Sequence, residues 1–117
     1  MKHIIPTMLA IFVIANLGYA QNYTENFLEI NKEIGSLFSK HPDEIIGAAT
    51  KLGDRKQEAA SAVSYLVRVL KDLETNRMEV IGEKGKVTNA IVNALQKITG
   101  QNFGKDVKRW EEYLIKK

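Results

Sequence analysis

The chain offers few residues that could do chemistry. It has no cysteine among its 117 residues, so thiol catalysis, cysteine zinc sites, iron–sulfur clusters and disulfide scaffolds are excluded. Two histidines, His3 and His41, cannot build a multi-histidine metal centre, and neither a metal nor a cofactor is expected. Ser61 and Ser64 sit in a helical pattern without a neighbouring histidine or a glycine-rich elbow, so the base and oxyanion hole of a serine nucleophile are missing. Gly82-Glu83-Lys84-Gly85-Lys86 places glycine and lysine before a helix but lacks the spacing of a phosphate loop. That helix start, with Lys84 and Lys86, could hold an anion weakly. Asp43 with Glu44 and Glu111 with Glu112 are adjacent in sequence, and adjacent helical positions do not face one another, so neither pair makes an acid–base dyad. His41 reads as a polar turn residue before Pro42. Its convergence with Arg55 and Glu58 in a pocket would favour an enzyme. No catalytic residue is assigned.

Three other groups could bind. Asn89, Asn93 and Gln96 recur at spacings of four and three and form an uncharged amide stripe opposite Ile91 and Leu95. Amides form adaptable hydrogen bonds at lower desolvation cost than ions, and these three are the candidate partner-binding residues. Lys105, Lys108, Arg109, Lys116 and Lys117 form a basic C-terminal cluster suited to an acidic partner or lipid head groups. Phe103, Trp110 and Tyr113 have the spacing of a core plug.

The elements that position these groups read as helices. The first runs from about Thr24, as cap, to Ser39, with Phe27, Ile30, Ile34, Leu37 and Phe38 as its stripe. Lys40-His41-Pro42 breaks it, and Pro42, Asp43 and Glu44 suit the first turn of a second helix. Ile45, Ala48, Ala49 and Leu52 form its inner face, with Gly53 as its stop. Asp54 is read as the cap of a third helix over 55–73, in which small Ala59, Ala60 and Ala62 allow close approach. A loop over 74–85 tucks one or two of Met78, Val80 and Ile81 into the core. A fourth helix over 86–99 buries Val87, Ile91, Ala94, Leu95 and Ile98 and ends at Gly100. Asp106 caps a last helix that carries Val107, Trp110 and Leu114 inward. No segment alternates with period two, so no sheet is expected. The fold class is all-α, with about five helices in one domain over 21–117.

Residues 1–20 read as an address. Lys2 and His3 precede an apolar run from Ile4 to Leu17, and Gly18-Tyr19-Ala20 supplies small residues before a cut ahead of Gln21. The run is shorter than the ~20 residues of a membrane span. The reading is a cleaved signal peptide and an exported, periplasmic or secreted bacterial protein. If residues 1–20 stay attached, the protein is instead tethered to the membrane. The charge balance, 17 basic against 14 acidic residues, is too even and dispersed for a nucleic-acid footprint.

Two stretches resemble bacterial HEAT-like helical-repeat proteins of the PBS lyase type. Ala48-Ala49-Thr50-Lys51-Leu52-Gly53-Asp54, followed by Ala59 to Asp72, is similar to the end of one repeat and the first helix of the next. Ala94 to Gly104, with Asp106 and Trp110, resembles the C-terminal cap of such arrays. Val107 stands where that tail carries proline, and Tyr113 where it carries a second tryptophan. The resemblance implies a short helical-hairpin array with a cap. It places Asn89, Asn93 and Gln96 on the concave, partner-facing side. Such arrays need about three repeats for stability, so the first helix or a partner must cover the open end. The expected function is a non-enzymatic module mediating protein–protein interaction. The alternative is a small regulatory subunit of an envelope enzyme, or an enzyme whose site is not recognisable from sequence.

Overall fold

The computed structural model describes residues 25–116. The expected signal peptide and the Thr24 cap lie outside the described residues. Every regular element described is a helix: α1 over 25–36, α2 (Pro42–Asp54), a 3-10 segment (Lys56–Ala62), α3 (Val63–Glu74), α4 (Lys84–Thr99) and α5 (Val107–Lys116). None of them is long and apolar enough to cross a membrane.

Local chemistry sets the breaks. His41 is extended, at φ −95° and ψ 117°, as the residue before proline must be. Pro42 then opens α2, where its missing N–H costs nothing. The Ser39 hydroxyl accepts the His41 N–H at 3.0 Å and donates to Glu44 at 2.6 Å, which ties the turn to the new helix. Gly100 ends α4 at φ 73°, and its N–H reaches the Gln96 carbonyl. A glycine suits this left-handed stop because it has no Cβ to clash. Asp106 caps α5 as the sequence predicts, accepting the Arg109 N–H at 3.2 Å.

The helices stack in order. Arg55 meets Glu29 and Lys51 meets Glu33, so α1 and α2 lie antiparallel. Gly53 meets Ala94 and Asp54 meets Lys97, while Ile46 and Lys86 share the far end of the same groove, so α2 and α4 lie parallel. The most extensive packing is α4 against α2, followed by α4 against α3 and the 3-10 segment. Helix α5 crosses α3 in reversed order: Val107 lies near Leu73, and Leu114 near Val67. The core is continuous from Ile30 to Trp110, with Leu37, Ile45, Leu52, Leu66, Leu70, Ile91 and Leu95 all fully buried.

Four expectations are corrected. Phe27 and Phe38 are 57% and 46% exposed and are not core residues. Phe27 borders an open cleft against the 3-10 segment, and the Phe38 ring, just past α1, stands edge-on to Tyr65 of α3 at 6.4 Å. Gly53 does not stop α2, which continues through Asp54. A Cβ on Gly53 would sit 3.1 Å from the Ala94 Cα, so the missing side chain lets two helices touch. Asp54 caps nothing. It is the last residue of α2 and pairs with Lys97 at 3.3 Å. The single third helix is in fact a 3-10 segment, itself kinked at Ala59, followed by an α-helix. Ala59 and Ala62 are buried against α4, as their size permits, but Ala60 is exposed. In the loop, Met78 and Val80 tuck against the core while Ile81 stays exposed.

Candidate functional site

The groove between α2 and α4 collects the amide residues. It has a volume of about 360 Å³. Its floor is Ala49, Gly53, Ala90 and Ala94, small residues set by the close approach of the two helices. Ile46 and Thr50 form the α2 wall, and Lys86, Asn89, Asn93 and Lys97 the α4 wall. Asn89 and Asn93 are exposed, and neither side chain has a hydrogen-bond partner among the described residues. Four residues of helix separate their amides by about 6 Å along the axis. The flanking cations are already paired, Lys86 with Glu83 at 3.1 Å and Lys97 with Asp54 at 3.3 Å. The groove therefore offers unpaired amides between neutralised charges.

Gln96 does not join them. Its Nε2 donates to Asn102 Oδ1 at 2.6 Å, which turns it towards the linker that follows α4. The three-residue stripe is thus two free amides and one that braces a turn. Asn102 lies outside the helical period, so no spacing rule could have exposed this bond.

The convergence of His41, Arg55 and Glu58 does not occur. His41 and Arg55 flank opposite ends of the 13-residue α2, about 20 Å apart at the helical rise. Arg55 is instead held by Glu29 at 2.6 Å and Glu58 at 3.2 Å, a bridge from α1 to the 3-10 segment. Ser61 and Ser64 are exposed, and their hydroxyls make no hydrogen bond among the described residues. Glu44 is engaged by Ser39 in the turn before α2 and Glu111 by Lys71 between α3 and α5, so both carboxylates serve the fold. Among the described residues no three His, Asp or Glu side chains form a group that could hold a metal ion.

The aromatic cluster is a core plug. Trp110 is fully buried, and Phe103 stands edge-on to it at 4.8 Å with Tyr113 at 6.2 Å. The Trp110 Nε1 donates to the Gly104 carbonyl at 2.9 Å, which satisfies its one polar atom. Arg109 of the basic cluster lies over the Phe103 ring at 5.1 Å. Lys117 of that cluster lies outside the described residues.

The chain matches no protein-family model, no curated protein and no solved structure.

Proposed function

We propose that the chain is an exported, non-enzymatic helical-repeat module that binds another protein in the groove between α2 and α4. The observation that carries this reading is the pair Asn89 and Asn93: unpartnered amides on a groove whose charges are internally neutralised. An interaction surface needs donors and acceptors that are not already spent on the fold. The stacking order supports an array of helical hairpins. Antiparallel α1 and α2 are followed by α3 and α4, and α2 and α4 line up in parallel. In such arrays the parallel second helices make the binding face, and the resemblance to HEAT-like repeats points to the same face. Export rests on the pattern of residues 1–20. An intact mass beginning at Gln21 would support it, and a mass beginning at Met1 would favour a tethered protein instead.

The test is an affinity capture from the native envelope fraction, run with the parent, Asn89→Ala/Asn93→Ala and Gln96→Ala. One stoichiometric partner, held by the parent and by the Gln96 variant but lost from the double variant, supports the reading. A folded monomer that captures nothing, or a partner retained by the double variant, overturns it.

A further inference from the structure

The second cleft is built from lysines that stand far apart in sequence. It lies between the end of α3 and the starts of α4 and α5, with a volume of about 530 Å³. Lys84 comes from the start of α4, Lys105 from the linker, and Lys108 from α5. Lys105 and Lys108 have no ion-pair or hydrogen-bond partner among the described residues. Lys84 is held by a neutral group, the Asn76 side-chain oxygen, and keeps its charge uncompensated. Two carboxylates also line the cleft. Asp106 is turned to the backbone of its own helix, where it accepts the Arg109 N–H. Glu74 is the remaining acid, so the cations outnumber the acids.

The same cleft includes Gly85, in the first turn of α4, a helix that begins without a side-chain cap and without an acidic residue in that turn. Its first N–H groups donate to no side-chain cap, and the Glu83 carboxylate that precedes them is engaged by Lys86. Lys84 in that turn increases the positive potential, while Lys86 is already paired with Glu83. Below the rim, Leu70, Leu73 and Val107 close the floor with buried apolar surface, which lowers the effective dielectric around a bound anion. Cations from three segments, over an apolar floor, suit a compact multivalent oxyanion better than a single carboxylate.

We propose that this cleft binds a phosphate group, held by Lys84, Lys105 and Lys108 with the first-turn amides of α4. The proposal is independent of the amide groove, because no residue is shared between the two clefts. A free phosphate monoester and a phospholipid head group present the same chemistry, and the experiment separates them.

The test is a titration of the ¹⁵N-labelled protein with inorganic phosphate at about 20 mM salt, where screening is weak. Sedimentation runs beside it with vesicles of phosphatidylcholine alone and with about one-third phosphatidylglycerol. Lys105→Gln/Lys108→Gln removes two charges at similar side-chain size, and Lys40→Gln removes an exposed charge elsewhere. Folding of each is checked by its melting curve. The expected result is saturable shifts at Gly85, Val107 and Lys108, weakened at least tenfold in the double variant and unchanged in Lys40→Gln. With a free phosphate as ligand, inorganic phosphate gives these shifts and the vesicles do not sediment the protein. With a lipid head group as ligand, only the anionic vesicles bind, and the double variant abolishes that binding. Absence of both responses overturns the proposal, as does equal weakening by Lys40→Gln or an unchanged affinity in the folded double variant.

Discussion

Replacing Gly53 tests whether the α2–α4 contact is what the structure says it is. A Cβ at this position would meet the Ala94 Cα at 3.1 Å, the Ala94 Cβ at 3.5 Å and the Lys97 Cδ at 3.4 Å. The Lys97 stem can swing away, but the Ala94 Cα is backbone, so relief requires the two helices to separate by a few tenths of an ångström. Overpacking of this kind costs about 1–3 kcal/mol. Gly53→Ala also gains about 1 kcal/mol of helix propensity. The net expectation is a loss of about 0–2 kcal/mol, or about 4–8 °C in Tm for each kcal/mol. Gly53→Asn puts a larger side chain into the same contact without Ala's propensity, and it should cost about 3 kcal/mol. A glycine acting only as a left-handed helix stop would reverse the order, because Asn tolerates that conformation and Ala does not. Urea unfolding followed by Trp110 fluorescence ranks the two variants. If Asn proves the more stable, the close-approach account is wrong. Adding Ala94→Gly to Gly53→Ala should recover little of the loss, since it removes the Ala94 Cβ at 3.5 Å and leaves the Cα at 3.1 Å in place.

Trp110→Ala should cost about 3–5 kcal/mol in urea unfolding followed by circular dichroism, because it empties a fully buried site and removes the tie to Gly104. Asp106→Ala should cost about 1 kcal/mol through the lost cap on Arg109, and Asp106→Asn should retain most of it. Phe27→Ser should change stability by no more than about 0.5 kcal/mol, whereas Leu37→Ser should lower it by several times that, despite their equal standing in the sequence pattern. Lys56 holds a left-handed backbone at φ 54°, so Lys56→Gly should raise Tm by a few degrees, about 0.5 kcal/mol after the entropy of glycine is subtracted.

The inward faces were legible because a helix against a core must repeat its apolar residues near every 3.6 positions. Ile45, Ala48, Ala49 and Leu52 on α2 are buried as that period requires, and so are Val87, Ile91, Ala94, Leu95 and Ile98 on α4. The kink before α3 escaped the same rule. Ala59 and Ala62 are three apart, a spacing that suits a 3-10 turn as well as an α-helix, so the burial was legible and the backbone was not. Phe27 and Phe38 escaped for the opposite reason. Their spacing was that of a stripe, but Phe27 borders an open cleft against the 3-10 segment and Phe38 meets Tyr65, itself exposed, so neither ring is covered.

The binding surfaces follow from a different kind of information. The period of α4 shows that Asn89 and Asn93 share a face, but not that α2 closes a groove beside it. That depends on Gly53 standing opposite Ala94. One small-residue contact thus sets both the stability of the pair and the width of the groove. A substitution that parts the helices should weaken partner binding even though residue 53 contributes no polar group to it. Gly53→Ala is therefore expected to reduce capture of the groove's partner while leaving the phosphate shifts at Gly85 and Lys108 in place, since those belong to a cleft that neither Gly53 nor Ala94 lines. If both responses fall together, the variant has loosened the whole fold. If capture persists at full strength in a destabilised variant, the partner does not sit between α2 and α4.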